Sequence, residues 1–253
     1  MINEPLVHRY KLTLEYDGTS FAGWQRQDNL LTVQEALETA FTKFCGCDIK
    51  VHGAGRTDAG VHATGQVAHV DLPKIYEPFV IGQALGFYLE TLPISVIHVE
   101  PVALDFHARF SATSRTYRYL IINRYAPLVF QKKRVWHVHG QSLDAVKMHE
   151  AAQVLVGHHD FTSFRAQLCQ AKSPEKTLDL LTVERKGELI EIHAKARSFL
   201  HHQVRNFVGT LKLVGAGKLS VDDVKNILAA KDRTKAGPTA PAEGLYLINV
   251  GYN

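Results

Sequence analysis

The chain has 253 residues and a net charge of +4, with 45% hydrophobic and 21% charged residues, Gly 18 and Pro 9. That balance excludes a disordered or collagen-like chain and allows one large globular domain or two smaller ones. The uncharged stretch from Pro78 to Leu89 falls short of the ~20 apolar residues a bilayer span needs, and the N-terminal MINEPLVHRYK lacks a basic region followed by an apolar one, so neither a span nor a secretory signal is expected.

His8 to Tyr16 alternates, with Tyr10, Leu12, Leu14 and Tyr16 on one side, and predicts a half-buried strand ended by Asp17-Gly18. Thr32-x-x-Glu35 reads as a capping box for a helix whose apolar face is Val33, Ala36, Leu37, Ala40, Phe41 and Phe44, with Gly46 as its stop. Short strands are expected at Ile49–Val51 and Val67–Val70, a helix opening at Pro78, and a strand over Val96–Val102. The order is then repeated. A strand over Tyr117–Ile122 leads to a helix capped by Ser142. A hairpin of Leu178–Arg185 and Leu189–Ala196 turns at Lys186-Gly187. A helix carrying Val204, Phe207, Val208 and Leu211 follows, then a short helix after Ser220 and a last strand over Leu245–Val250. The fold class expected is α+β: two ferredoxin-like β-α-β-β-α-β halves, residues 1–110 and 111–253, whose antiparallel sheets meet at a central cleft.

The three cysteines, Cys45, Cys47 and Cys169, are too few and odd in number for a disulfide framework and fit a reducing, cytoplasmic setting. Cys45-Gly-Cys47 lacks the second pair that a structural zinc site wants. Charge is unevenly spread. Seven basic residues and no acid lie between Phe106 and Gln141: Arg109, Arg115, Arg118, Arg124, Lys132, Lys133 and Arg134. A locally basic stretch on an otherwise net acidic chain points to a polyanionic partner.

Residues 53–65, GAGRTDAGVHATG, place four glycines between two expected strands. The run is not a Walker A loop, since no Lys-Ser/Thr follows at the required spacing. Nor is it a dinucleotide fingerprint, since Asp58 stands where the third glycine should be. Two readings stand: a tight connection with Arg56 and Asp58 solvated, or a carboxylate and a guanidinium held rigidly at a cleft.

The run Gly55 to Val67, GRTDAGVHATGQV, is similar to the signature of the tRNA pseudouridine synthase A family. Tyr16-Asp17-Gly18 and Gly23-Trp24-Gln25 resemble its first-strand motif. Asp105-Phe106-His107-Ala108-Arg109-Phe110, followed by Tyr117-Arg118-Tyr119, resembles its RNA-contacting strand. Asp160 to Phe164, Phe199 to Asn206 and Ala242 to Tyr246 complete a set that spans nearly the whole chain. One departure lies at Ala84–Pro93, where the family usually carries Asn before Leu-Pro. Another follows Cys169-Gln170, where Lys172 would supply the family's basic residue.

The resemblance implies isomerisation of uridine to pseudouridine at positions 38, 39 and 40 in the anticodon arm of tRNA. It implies no cofactor, no metal and no membrane, and a cytoplasmic homodimer that binds the RNA at the central cleft. It assigns Asp58 as nucleophile, Arg56 to base flipping, and Arg205 as the partner that favours the ionised Asp58. Tyr117 would pack on the target base; Phe106, His107, Ala108, Arg109 and Phe110 would contact substrate, as would Leu168, Cys169, Gln170, Ala171 and Lys172. A carboxylate suits covalent capture because, with a reference pKa of ~3.9, it is ionised at neutral pH. Whether it attacks the sugar C1′ or the base stays open. So does Tyr117, which periodicity alone reads as a core strand residue sharing a face with Tyr119 and Ile121.

Two rival readings remain. A metal hydrolase would use some of the 14 histidines, but no H-E-x-x-H is present. Adjacent histidines such as His201-His202 are expected to diverge, by ~100° on a helix. A non-catalytic RNA-binding module explains Arg109, Arg118 and Tyr119 but gives Arg56-Thr57-Asp58 no purpose.

Overall fold

A computed structural model describes residues 7–253. The N-terminal stretch read above as lacking a secretory signal begins in residues 1–6, outside the described residues. The chain divides into two compact units, one running to Thr113 and including Leu247–Asn253, the other Ser114–Tyr246. This division differs from the expected halves, 1–110 and 111–253, chiefly in the last strand.

In the first unit, β1 (His8–Tyr16), β3 (His62–Leu72) and β4 (Ile94–Pro101) form an antiparallel sheet in the order β4-β1-β3. The short β2 (His52–Gly53) pairs with β3, and β10 (Leu245–Gly251) also lies beside it. That pairing explains why residues from Leu247 onward belong to this unit. Tyr10, Leu12, Leu14 and Tyr16 are all buried, as alternation requires. Leu14 pairs with Gln66 but Tyr16 with Ala63, so the ladder is bulged there. A bulge re-aims side chains, and this one lies beside the glycine-rich loop.

Helix α1 (Val33–Cys45) starts where Thr32 accepts a hydrogen bond from Glu35 N (3.3 Å) and stops at Gly46, whose φ of 72° is left-handed. The Glu35 carboxylate faces Arg26 at 3.6 Å, so only the Thr32 half of the expected box forms. The expected strand Ile49–Val51 is displaced to β2. The reason is Glu38, buried on α1. Its carboxylate takes the Val51 N–H (3.2 Å), and Gln34 donates to the Val51 carbonyl (3.2 Å). Both backbone groups of Val51 are thus satisfied by helix side chains instead of a ladder. Helix α2 (Pro78–Tyr88) opens on proline as expected and buries Ile81 and Leu85.

In the second unit, β5 (Ser114–Asn123), β9 (Leu189–Ala196), β8 (Glu175–Lys186) and β7 (Gly157–Asp160) form an antiparallel sheet in that spatial order, with β6 (Trp136–Val138) parallel to β5. Strands β6 and β7 were not expected. Helices α3 (Ala145–Gln153), α4 (Gln203–Gly215) and α5 (Val221–Ala230) accompany the sheet. Phe161, Phe164 and Phe207 form an aromatic cluster with ring centroids 5.0–6.4 Å apart. Helix α3 is capped by Asp144, not Ser142. The Asp144 carboxylate accepts from Lys147 N (3.0 Å), and Asn123 Oδ1 takes the Leu143 N–H (2.8 Å), which holds the preceding residues outside the helix. Ser220 and Asp223 make a reciprocal capping box on α5. No helix among the described residues is long and apolar enough to cross a membrane.

Candidate active site

The glycine-rich loop joins β2 to β3 in the first unit. Arg56 is exposed, Thr57 buried and Asp58 half-buried. Three carbonyls around Asp58 are engaged. Gln66 Nε2 donates to Gly55 O (2.9 Å), Trp24 N to Thr57 O (3.0 Å), and Val61 N to Asp58 O (3.1 Å). Gly53 leaves no room for a Cβ because the Trp24 indole lies against it, and Gly23, at φ 103°, crosses the 57–59 backbone closely. Gly18 N donates to His62 Nδ1 (3.0 Å) and Ala54 N to Val67 O (2.7 Å). The Tyr-Asp-Gly and Gly-Trp-Gln segments quoted from the sequence therefore serve one purpose, which is to hold this loop.

Beneath the loop, the Tyr16 and Thr57 hydroxyls lie 2.8 Å apart, and Gln66 Nε2 donates to Tyr16 Oη at 3.4 Å. Burial pushes the Tyr16 phenol up to about 12, with the Thr57 and Gln66 hydrogen bonds opposing it. Tyr16 is therefore a neutral hydroxyl at any physiological pH.

The segment Phe106–Phe110 is a series of turns, and the strand that was expected to include it begins only at Ser114. Arg9 explains this. It forks onto Asp71 at 2.6 and 2.7 Å and donates to the carbonyls of Leu104 and Phe106, so the chain is drawn off the sheet. Ala108 is buried, with its N–H given to His69 Nδ1 (3.1 Å) and its carbonyl to Tyr252 Oη (2.7 Å). Phe106 and His107 are half-buried, whereas Arg109 and Phe110 face solvent. His69 sits 4.6 Å from His107 and 4.9 Å from His52, centroid to centroid. Burial, reinforced by His107 and Arg9, pushes the His69 imidazole down to about 4, which keeps Nδ1 a proton acceptor.

In the second unit, Tyr117 lies on β5 with its ring 5.2 Å from Phe199, edge to face. Tyr119 and Ile121 are fully buried, but Tyr117 is only half-buried. It shares their face without belonging to the core. Tyr119 is anchored by donating to Pro241 O (2.8 Å). Arg205 stands in the first turn of α4, and its Nε donates to Ala240 O (2.8 Å). The segment 168–172 is a loop. Leu168 is 86% exposed, Gln170 and Lys172 are exposed, and Cys169 and Ala171 half-buried. It is tied to the start of α4, since His201 N donates to Cys169 Sγ (3.4 Å) and Ala166 N to His201 O (2.9 Å). His201 and His202 do not diverge as expected. The left-handed φ of 61° at His202 folds the two rings to a centroid distance of 3.9 Å.

Sequence reasoning singled out Arg56 and Asp58 but not Tyr16, Trp24 and Gln66 as supports of their loop. The quoted motifs contained them, and the missing signal was their contact with the loop and with one another across 11 to 50 residues.

Comparison with known proteins agrees with the motifs. A family model described as tRNA pseudouridine synthase matches residues 13–111 and 151–253. The matched ranges include Arg56, Asp58, Phe106–Phe110, Leu168–Lys172 and Arg205, while Tyr117 falls in the interval between them. The chain is 60% identical over 245 residues to tRNA pseudouridine synthase A of Paramagnetospirillum magneticum, covering 97% of this chain and 95% of that one. It is 59% identical to the protein of the same name from Rhodospirillum centenum, over 97% and 100% of the two chains, and 56% identical to that of Rhodospirillum rubrum, over 96% and 87%. With more than half its length matched and relatives this similar end to end, the chain belongs to the tRNA pseudouridine synthase family.

Proposed function

We propose that this protein isomerises uridine to pseudouridine in tRNA, acting at positions 38, 39 and 40 of the anticodon arm. The N1–C1′ bond breaks, the base turns, and a C5–C1′ bond forms while the C5 proton is released and N1 gains one. The change is redox-neutral and adds no water overall, so it requires neither a redox cofactor nor a metal-activated hydroxide.

Asp58 is the proposed nucleophile. The observation that carries this reading is its setting: a half-buried carboxylate in a loop whose Gly55, Thr57 and Asp58 carbonyls are held by Gln66 of β3, the Trp24 N–H and the Val61 N–H. Such rigidity is what a group needs to hold a reacting fragment in place. Arg56, exposed two residues away, is assigned to filling the space left by the extracted uridine. Extraction from a stack costs a few kcal/mol. Tyr117 offers a half-buried ring for stacking on the base, worth ~1–3 kcal/mol. Arg205 is assigned to favouring the ionised Asp58. Arg109, Phe110 and Lys172 are exposed and open to contact with substrate, whereas Ala108 is buried. The protein is proposed to act as a cytoplasmic homodimer.

The test is tritium release from tRNA carrying C5-labelled uridine, run with and without chelator. Equal release under both conditions supports the reading. Release abolished by chelator would replace it with a metal-dependent one, and no release with intact binding would leave an RNA-binding protein.

A further inference from the structure

We propose that Tyr16 is a positioning residue for the reaction, acting through a buried Tyr16–Thr57–Gln66 brace that sets where the Asp58 carboxylate stands. This rests on Asp58 as the nucleophile.

The backbone bonds around Asp58 hold the Gly55, Thr57 and Asp58 carbonyls, and a side chain next to Asp58 adds a further anchor. Only one side chain in the Arg56-Thr57-Asp58 triplet is buried, that of Thr57. Its hydroxyl is held 2.8 Å from Tyr16 Oη. Tyr16 Oη in turn accepts from Gln66 Nε2 (3.4 Å), the same nitrogen that donates to Gly55 O (2.9 Å). Either hydroxyl can donate in the Tyr16–Thr57 bond, and the phenol oxygen has lone pairs for both neighbours. The other end of the amide is also fixed, since Gln66 Oε1 accepts from Val67 N (3.2 Å). A chain of bonds therefore runs from the β3 backbone through Gln66 and Tyr16 to the residue next to Asp58.

Packing does not require this hydroxyl. The Tyr16 ring is buried, with Trp24 6.2 Å away, and phenylalanine would fill the same space without a polar atom to desolvate. Gln66 pairs across the ladder with Leu14, two residues before Tyr16, so Tyr16 and Gln66 are diagonal neighbours on one face of the sheet. A phenol pushed up to about 12 stays protonated over the working range, so the brace does not loosen with pH.

The experiment measures kcat, KM for tRNA and thermal midpoint for Tyr16→Phe, Thr57→Val, Thr57→Ser and the Tyr16→Phe/Thr57→Val pair, with Asp58→Asn alongside. Misplacing a reacting group by ~1 Å can cost ~100-fold, so Tyr16→Phe and Thr57→Val should each lower kcat by roughly 10- to 100-fold with KM within about twofold. Thr57→Ser, which keeps the hydroxyl, should retain most of the rate. The double variant should be no slower than its slower parent, because both changes break one bond. Wild-type kcat in Tyr16→Phe with only a lower midpoint would reduce the network to a stabilising feature and overturn the proposal, as would losses that multiply in the double variant. Should Tyr16→Phe fail to fold, the contrast between Thr57→Val and Thr57→Ser decides the matter: equal rates overturn it. An active Asp58→Asn would remove the nucleophile and the brace together, whereas an inactive Asp58→Asn beside a fully active Tyr16→Phe removes the brace alone.

Discussion

At position 58 charge and reach can be separated. Asp58→Glu keeps the charge and extends the carboxylate by one methylene, in a loop pinned through Gly55, Thr57 and Asp58 carbonyls that offers little slack. Turnover should fall by about 100-fold with tRNA affinity unchanged. Arg56→Ala should also lose activity, but for a different reason, and should recover on a substrate whose target uridine is already unstacked, where Asp58→Glu should not. Rates of the two variants on stacked and unstacked substrates check this; equal recovery of both would contradict it. Arg56 and Asp58 stand out in the sequence because they lie in one contiguous run. Tyr16 and Gln66 were not legible as supports, because 50 residues separate them and a hydrogen bond between them leaves no mark on periodicity. Alternation placed Tyr117 with Tyr119 and Ile121, correctly for its face, but burial along a strand also depends on where the covering elements end, and Tyr117 lies beyond full cover.

Elements with a strong period, such as β1, α1 and β9, were readable because each buries one continuous face. The failures have local causes: Glu38 and Gln34 claim Val51, Asn123 claims Leu143, Arg9 draws the 104–106 carbonyls off the sheet, and β6 has only three residues from which to show a period. The β5–β6 connection presents Lys132, Lys133 and Arg134 to solvent. Replacing the three with alanine should weaken tRNA binding and flatten its logarithmic salt slope by ~0.7–0.9 per lost phosphate contact, measured by titration at several salt concentrations. An unchanged slope would move the RNA footprint elsewhere. The 106–110 turns carry a pH dependence of their own. His69 is held near 4 in the folded protein against 6.5 for the free group, so the unfolded chain takes up a proton first as pH falls. Its contribution to stability is therefore complete above about 6.5 and is lost progressively toward 4. Thermal midpoints should decline across that window, and His69→Asn, whose Oδ1 can still accept the Ala108 N–H, should show a shallower decline. An unaltered decline would assign the titration to other groups.

Over the whole chain, the split β-α-β plan was legible from the repeated order of strands and helices, whereas the membership of the last strand was not. Residues 247–253 group with the first unit because β10 lies along β3, a partnership between segments about 180 residues apart. The proposed homodimer should sediment at twice the 28.2 kDa chain mass at micromolar concentration, since a standard-sized interface survives that dilution. A stable single-chain species would contradict it. Asp58 is the proposed nucleophile for pseudouridine formation at three adjoining positions of the anticodon arm. The most direct test of that role is to map pseudouridine, position by position, in unmodified tRNA transcripts treated with the purified protein and with Asp58→Asn. Pseudouridine is expected at positions 38, 39 and 40 with the wild-type protein. None is expected with Asp58→Asn, although that variant should still bind the transcripts, because loss of a covalent catalyst removes the reaction path. Pseudouridine formed by Asp58→Asn, or formed by the wild-type protein only at other positions, would contradict this assignment.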